Sequence, residues 1–335
     1  MQNFLNNRPN FNNKTILITG GTGSFGMRFV EKIIKMFKPK KLIIFSRDEL
    51  KQYEMSKKFS PEKYGFIRYF IGDIRDLQRL EMALTDVDFV VHAAALKHVE
   101  SSEYNPYECV QTNIVGAQNL VIASLKNKVK KLIFLSTDKA CSPLNLYGAS
   151  KLAAEKIFIA ANNIKGKDKT IFSNVRYGNV FGSRGSVIHV FNEAKKNKKN
   201  FLPITHKDMT RFFITLDQGV NFVLSSISMM EGGEIFVPKI FSFKITDVAK
   251  IAAPNSRIKF IGIRPGEKLH EILINADESK QVIETKDRFI IMPYFKVNIN
   301  KNIKYKKLIK PFDYKSNNNN LMLNLSKLKI FFRNQ

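Results

Sequence analysis

The stretch STDKACSPLNLYGASK, from Ser136 to Lys151, gathers side chains that move protons. Tyr147 and Lys151 stand four apart, which puts them one turn apart on one face of a helix. In that geometry an ammonium lowers the phenol's pKa, so a phenolate takes the proton of a substrate hydroxyl while hydride leaves carbon. Asp138 and Lys139 add a carboxyl and an amine that simple alcohol oxidation does not need. If the oxidised centre is C-4 of a hexose, the C-5 proton becomes acidic. An amine can then remove it while an acid protonates the C-6 hydroxyl and water departs. Asp138 is expected as the acid, with its pKa raised by burial, and Lys139 as the base, with its pKa lowered by burial. The alternative is that Asp138 and Lys139 merely pair with each other.

These residues need a scaffold, and the chain supplies a rhythm for one. Short apolar runs recur with helical patterns between them: TILIT, KLIIFS, IRYFIGD, DFVVHAAA and KLIFLST. Fully apolar strands alternating with helices predict an α/β fold, a Rossmann-type doubly wound parallel sheet covered on both faces. KLIFLST delivers Ser136 to Lys139 to its carboxyl end, where ligands bind in such sheets. After about Asn179 the rhythm breaks, which predicts a smaller C-terminal substrate-binding domain. The expected division is residues 11–179 and about 212–234 for the cofactor domain, and about 180–211 and 235–335 for the substrate domain. Residues 1–10 read as a polar tail. One long helix is expected through YNPYECVQTNIVGAQNLVIASLKN. The asparagine-rich C-terminal tail carries little signal.

TGGTGSFG places Gly20, Gly23 and Gly26 between the first strand and the first helix, with Thr22, Ser24 and Phe25 among them. Glycines there permit a tight turn and let backbone N–H groups approach a pyrophosphate at a helix N-terminus. An NAD site usually carries an acid at the end of the second strand. Here SRDELK follows, with Ser46 and Arg47 at that place, then Asp48, Glu49, Leu50 and Lys51. A guanidinium and an ammonium suit a 2′-phosphate, so NADP is the expected cofactor; the alternative is Asp48 as the ribose acid. Asp73 and Ile74 would edge and pack an adenine. Ala93, Ala94 and Ala95 would let a cofactor lie against the backbone, with Lys97 in reach of ribose or phosphate.

The chain has 335 residues and a formal net charge of +26. Such a charge attracts anions. The lysines are scattered over KNKVKK, KKNKKN and KNIKYKKLIK, without the aromatic interleaving of a nucleic-acid module, so no nucleic-acid partner is expected. No apolar run has the length of a membrane span and the N-terminus lacks a signal-peptide core. Two cysteines, Cys109 and Cys141, do not make a disulfide framework. A cytoplasmic protein with no membrane association and no metal site is expected.

The motifs TGGTGSFG, HAAALKHVE, STDKA, NLYGASKLAAEK, RYGNVFGSRGSV, PITHKDMTRFFITL and IGIRPGEKLHE together resemble the extended short-chain dehydrogenase/reductases. Within them the chain is similar to the C-5-inverting UDP-N-acetylglucosamine 4,6-dehydratases that open pseudaminic acid synthesis. The resemblance runs from about residue 11 to 275. It implies Lys139 as the C-5 base, Asp138 in dehydration and Thr137 polarising the carbonyl. Lysine at 139, where the related deoxythymidine-diphosphate glucose dehydratases carry glutamate, goes with inversion. It also implies Lys97, Thr112, Asn113, Asn179, Val187, Thr205, Arg211, Arg264 and Glu267 as contacts to a UDP-sugar, and a homo-oligomer. Arg211 and Arg264 can neutralise a diphosphate and Glu267 can accept from ribose hydroxyls. Glu100, His189 and Phe241 stand where the family usually has proline, and Cys141 where it has alanine. Rival readings are a UDP-sugar 4-epimerase, a C-5-retaining dehydratase, a nucleotide-sensing protein without turnover and a nucleic-acid binder.

Overall fold

The computed structural model describes residues 3–4, 7–166, 169–181, 201–295, 297–301 and 303–333. The apolar runs form strands β1 (Thr15–Thr19), β2 (Lys41–Ser46), β3 (Ile67–Ile71), β4 (Phe89–His92), β5 (Lys131–Thr137) and β6 (Ile171–Tyr177). Further along come β7 (Asn179–Phe181), β8 (Phe201–Ile204), β9 (Thr210–Thr215), β10 (Ile235–Pro238), β11 (Phe241–Lys244) and β12 (Arg257–Phe260). The last are β13 (Ile272–Ile274), β14 (Val282–Glu284), β15 (Arg288–Ile291), β16 (Lys306–Lys307) and β17 (Tyr314–Lys315). The main sheet runs β3-β2-β1-β4-β5-β6-β10, all parallel, and continues antiparallel through β15, β14 and β16. All five residues of β1 are buried, as a strand covered on both faces requires.

Helices cover both faces. On one side lie α1 (Ser24–Met36), α2 (Glu49–Lys58) and α8 (Leu216–Met229). On the other lie α3 (Leu77–Ala83), α6 (Gly116–Lys126) and α7 (Leu146–Ile164). Local chemistry starts them: Asp48, Asp76 and Asn145 accept from backbone N–H groups at the openings of α2, α3 and α7, and Thr215 with Gln218 forms a capping box on α8. The single helix expected over residues 104–127 is divided: α4 (Val99–Tyr104) ends at its start, and α5 (Pro106–Val110) and a π turn (Gln111–Val115) precede α6. Pro106 has no N–H to donate and pushes Asn105 out of the helical region, to φ −121° and ψ 66°.

A smaller layer gathers β11-β9-β7, the β8–β12 pair and the β13–β17 pair. With α9 (Ile245–Ala252) and α11 (Leu325–Arg333) it has its own apolar core, including Leu202, Met209, Phe213, Val248 and Leu328. The expected boundaries near 212 and 235 are not boundaries of the sheets. β9 crosses the first into the small layer, and β10, β14, β15 and β16 return to the main sheet. A strand covered by one helix layer still presents a bare edge, and the later chain covers it. Nor is the N-terminus a loose tail: Phe4 is buried against Phe222 of α8, with ring centroids 5.1 Å apart, and Asn221 donates to Asn3.

Candidate active site

The reaction centre grows from the end of β5. Asp138–Ala140 forms one 3₁₀ turn, capped by Thr137, and α7 follows after a short loop. Gly148 lets α7 approach: a Cβ there would lie 2.2 Å from the Lys139 carbonyl oxygen. Tyr147 and Lys151, one turn apart on α7, are both buried. Asp138 is fully buried; its Oδ1 accepts from the Thr137 hydroxyl at 2.9 Å and from Lys139 Nζ at 3.1 Å. Burial pushes the Asp138 carboxyl up, although Lys139 pulls the other way.

Lys139 differs from its expected state. Burial does push its amine down, but Asp138 and Glu271 outweigh that, and the ammonium is held above its ordinary range. Its Nζ lies 3.3 Å from Oε1 of Glu271, a residue 2% exposed that sequence reasoning did not single out. Glu271 stands just before β13, and the same Oε1 is 3.6 Å from Arg211 Nε. Burial would raise the Glu271 carboxyl, yet Lys139, Arg211 and Lys268 hold it below the usual range. The result is a row of alternating charge, Asp138–Lys139–Glu271–Arg211–Glu267, closed by an Arg211–Glu267 pair at 3.2 Å. Glu271 closes the IGIRPGEKLHE motif, but the motif alone gives it no role; an acid before an apolar strand is ordinarily a surface charge.

Lys151 also differs. Burial brings it down to about 7, and its Nζ donates to the Leu135 carbonyl at 2.7 Å over the Phe134 ring. The phenol of Tyr147 is pushed up to about 12 by burial, and the groups that pull it back are Lys139 and Thr137 rather than Lys151. The side-chain oxygens Ser136 Oγ, Asp138 Oδ2 and Glu271 Oε2 are buried without a hydrogen-bond partner. Each such atom costs about 1–3 kcal/mol until a ligand meets it.

The glycine cradle fits a dinucleotide. Gly20 has φ +65°, and a Cβ on it would come within 2.8 Å of the Ala94 backbone nitrogen. A Cβ on Gly26 would lie 2.3 Å from the Gly21 carbonyl oxygen, so only glycine lets α1 start this close to the turn. Gly23 precedes α1, whose first turn, including Ser24 and Phe25, carries no acid to repel a phosphate. Thr22 Oγ1 and Ser46 Oγ, 3.1 Å apart, pin the two strand ends together. Asp48 caps α2 and pairs with Lys51. Arg47 is more than half exposed and 3.9 Å from Asp73, which is held chiefly by Arg75. Glu49 and Leu50 are exposed on α2, while Ile74 is buried against Gly116. Ala93 and Ala94 are half-buried, and their N–H groups donate to Thr19 Oγ1.

The substrate-side residues fall into two sets. Arg264 and Glu267 share a turn in which the Glu267 N–H donates to the Arg264 carbonyl, and Gly266 sits at φ +74°. Asn145, the cap of α7, donates to Gly266 O at 2.8 Å, so this turn is tied to the catalytic helix. Arg264 meets Glu100 at 3.4 Å, both exposed, so the departure at Glu100 acts on a diphosphate candidate. Thr205 lies in the loop after β8 and Asn179 is exposed at the start of β7. Lys97 is exposed. Asn113, by contrast, is occupied: it accepts from Leu96 N–H and donates to Leu96 O and Ser150 Oγ, fastening the 96 loop to α7. Neighbouring Thr112 is buried with its hydroxyl unpaired. Phe241 stacks on Phe213 in the small layer. Cys141 is buried beside Glu278, its thiol pushed up to about 12 by burial, so it is unreactive. Val187 and His189 lie outside the described residues.

Residues 16–293 match the family model described as polysaccharide biosynthesis protein. The chain belongs to this family. A UDP-N-acetylglucosamine 4,6-dehydratase (inverting) of Campylobacter jejuni is 57% identical over 86% of this chain and 85% of its own length. A UDP-glucose 4-epimerase of Rickettsia bellii is 45% identical over 80% of each. Among solved structures, Pen from Bacillus thuringiensis superposes with a TM-score of 0.88 at 38% identity, covering 97% of this chain and 99% of that one. The resemblance to the extended short-chain dehydrogenase/reductases and the doubly wound fold are thus both borne out. Among the described residues no helix is long and apolar enough to cross a membrane.

Proposed function

We propose that the chain catalyses NADP-dependent, C-5-inverting 4,6-dehydration of UDP-N-acetylglucosamine to UDP-2-acetamido-2,6-dideoxy-β-L-arabino-hex-4-ulose, the first step toward pseudaminic acid. The observation that carries this reading is the pair of buried Asp138 and half-buried Lys139 beside Tyr147 at the carboxyl end of β5. When bound, the nicotinamide supplies oxidation at C-4 and later reduction at C-6. Tyr147 takes the proton of the C-4 hydroxyl, helped by the Lys139 charge. Asp138, whose carboxyl is pushed up by burial, is the proton donor to the leaving C-6 hydroxyl. Lys139 acts on the C-5 proton, and Thr137 orients Asp138. Arg211 and Arg264 hold the UDP diphosphate, with Glu267 on its ribose. Arg47 and Lys51 are the cations for a 2′-phosphate; Arg47 is exposed and Lys51 partly exposed, they pair with the half-buried Asp73 and Asp48, and such surface pairs are worth about 0–1 kcal/mol, so a phosphate displaces them readily.

Epimerisation at C-4 is the second reading, favoured by the Rickettsia relative. It needs the tyrosine and a ketone free to rotate, and leaves the buried acid and amine without work. Incubation with UDP-N-acetylglucosamine in heavy water decides between them. Dehydration gives a product lighter by one water, labelled at C-5 and of inverted configuration by NMR. A product of unchanged mass would sink the proposal.

A further inference from the structure

Lys139 has to be a base in the proposed reaction, yet its amine is clasped by acids in the ligand-free protein. Asp138, 3.1 Å from the amine, is the acid assigned to the C-6 hydroxyl in that reaction and is not available to take the proton. Glu271 is. Its Oε1 is within 3.3 Å of Lys139 Nζ, and its Oε2 is buried with no partner. Its backbone is fixed from behind: the Glu271 N–H donates to Ser316 Oγ at 2.9 Å, and the Ser316 N–H donates back to the Glu271 carbonyl. The charged or titratable groups facing this pair are Asp138 and Tyr147 on the β5–α7 side, Arg211 from β9 and Lys268 from the turn before β13. His270, next in the chain to Glu271, points to Thr210 at 2.8 Å.

We propose that Glu271 is a positioning residue for Lys139: its carboxylate holds the ammonium at the reaction centre and receives one of its protons when the amine must act on C-5. The inference rests on the function proposed above. In the step, one Lys139 N–H bond breaks as a Glu271 O–H bond forms. The freed nitrogen lone pair then takes the C-5 proton, and the C–H electron pair stays in the ring as the enolate of the 4-ketone. Arg211 sets when this happens. Its guanidinium, 3.6 Å from Glu271 Oε1, favours the carboxylate, so the proton stays on nitrogen. A substrate diphosphate engaging Arg211 offsets that charge, and the proton can cross.

The test is the pH dependence of kcat for UDP-N-acetylglucosamine dehydration, unmutated enzyme against Glu271→Gln. Glutamine keeps the size and an oxygen acceptor but cannot take the proton, so the amine must lose it to solvent. The unmutated enzyme should be nearly flat from about pH 6 to 9. The variant should fall at least about tenfold at pH 7 and recover about tenfold per pH unit on the alkaline side, with KM little changed. A variant with the parent's rate and profile, or one reduced equally at every pH, overturns the proposal. If glutamine prevents folding, Glu271→Asp replaces it. That variant should keep the flat profile at lower kcat, and an unchanged kcat overturns the proposal. An unmutated enzyme that makes no dehydrated product fails the functional reading itself, which is a separate result.

Discussion

Lys139 is half-buried between the acids Asp138 and Glu271, and that environment reverses the sign first expected of its pKa. Burial alone would favour the neutral amine; the acids Asp138 and Glu271 outweigh it and favour the ammonium. A resting cation so close to Tyr147 serves the first step, because it favours the phenolate, and hinders the second unless its proton has somewhere to go. Lys139→Ala tests both roles. It should bind NADP as the parent does and lose water elimination by about 10²–10⁴-fold, the range of a positioned acid–base group. Cofactor titration and product mass check this; elimination at the parent rate would remove Lys139 from the chemistry.

At the scale of elements, the centre depends on how closely α7 meets the turn after β5. Gly148 sits in the tight gap between them, where a Cβ would press on the Lys139 carbonyl. Gly148→Ala should therefore displace the turn that carries Asp138 and Lys139. About 1–3 kcal/mol of stability is expected to go with the overpacking, and kcat should drop at least about tenfold, since small misplacements of reacting groups are costly. Thermal melting and steady-state kinetics separate the two effects, and a folded variant with parental kcat would show that the gap is slack. The same closeness explains the Asn145–Gly266 contact, through which the Arg264 turn follows α7.

At the scale of the whole molecule, Arg176 of β6 is fully buried and binds Glu155 of α7 and Glu278 of α10 (Ala276–Ser279), with a further bond to the Leu273 carbonyl. This network ties the main sheet to the later chain. Burial would raise the Glu278 carboxyl, but Arg176 outweighs it and holds the group below its ordinary range. A depressed carboxyl stabilises the fold above its unfolded pKa, about 4.3, and that contribution is lost as pH falls through the folded value. The melting temperature should therefore drop once pH passes below about 4. Glu278→Gln should be less stable at pH 7, with a smaller further loss on acidification; an equal acid loss in variant and parent would show that other groups carry it. The sequence by itself determined the strand–helix rhythm, the glycine cradle at the end of β1, and the placing of Thr137, Asp138, Lys139, Tyr147 and Lys151 at one sheet edge. Those features are local, written in periodicity and spacing within a few residues. Only the tertiary structure decided that Glu271 faces Lys139, that Asn113 is occupied by the 96 loop, that Phe4 belongs to the core, and that β10, β14 and β15 rejoin the main sheet. Each depends on segments far apart in the chain, and a buried group's ionisation follows the sum of the charges that folding brings around it.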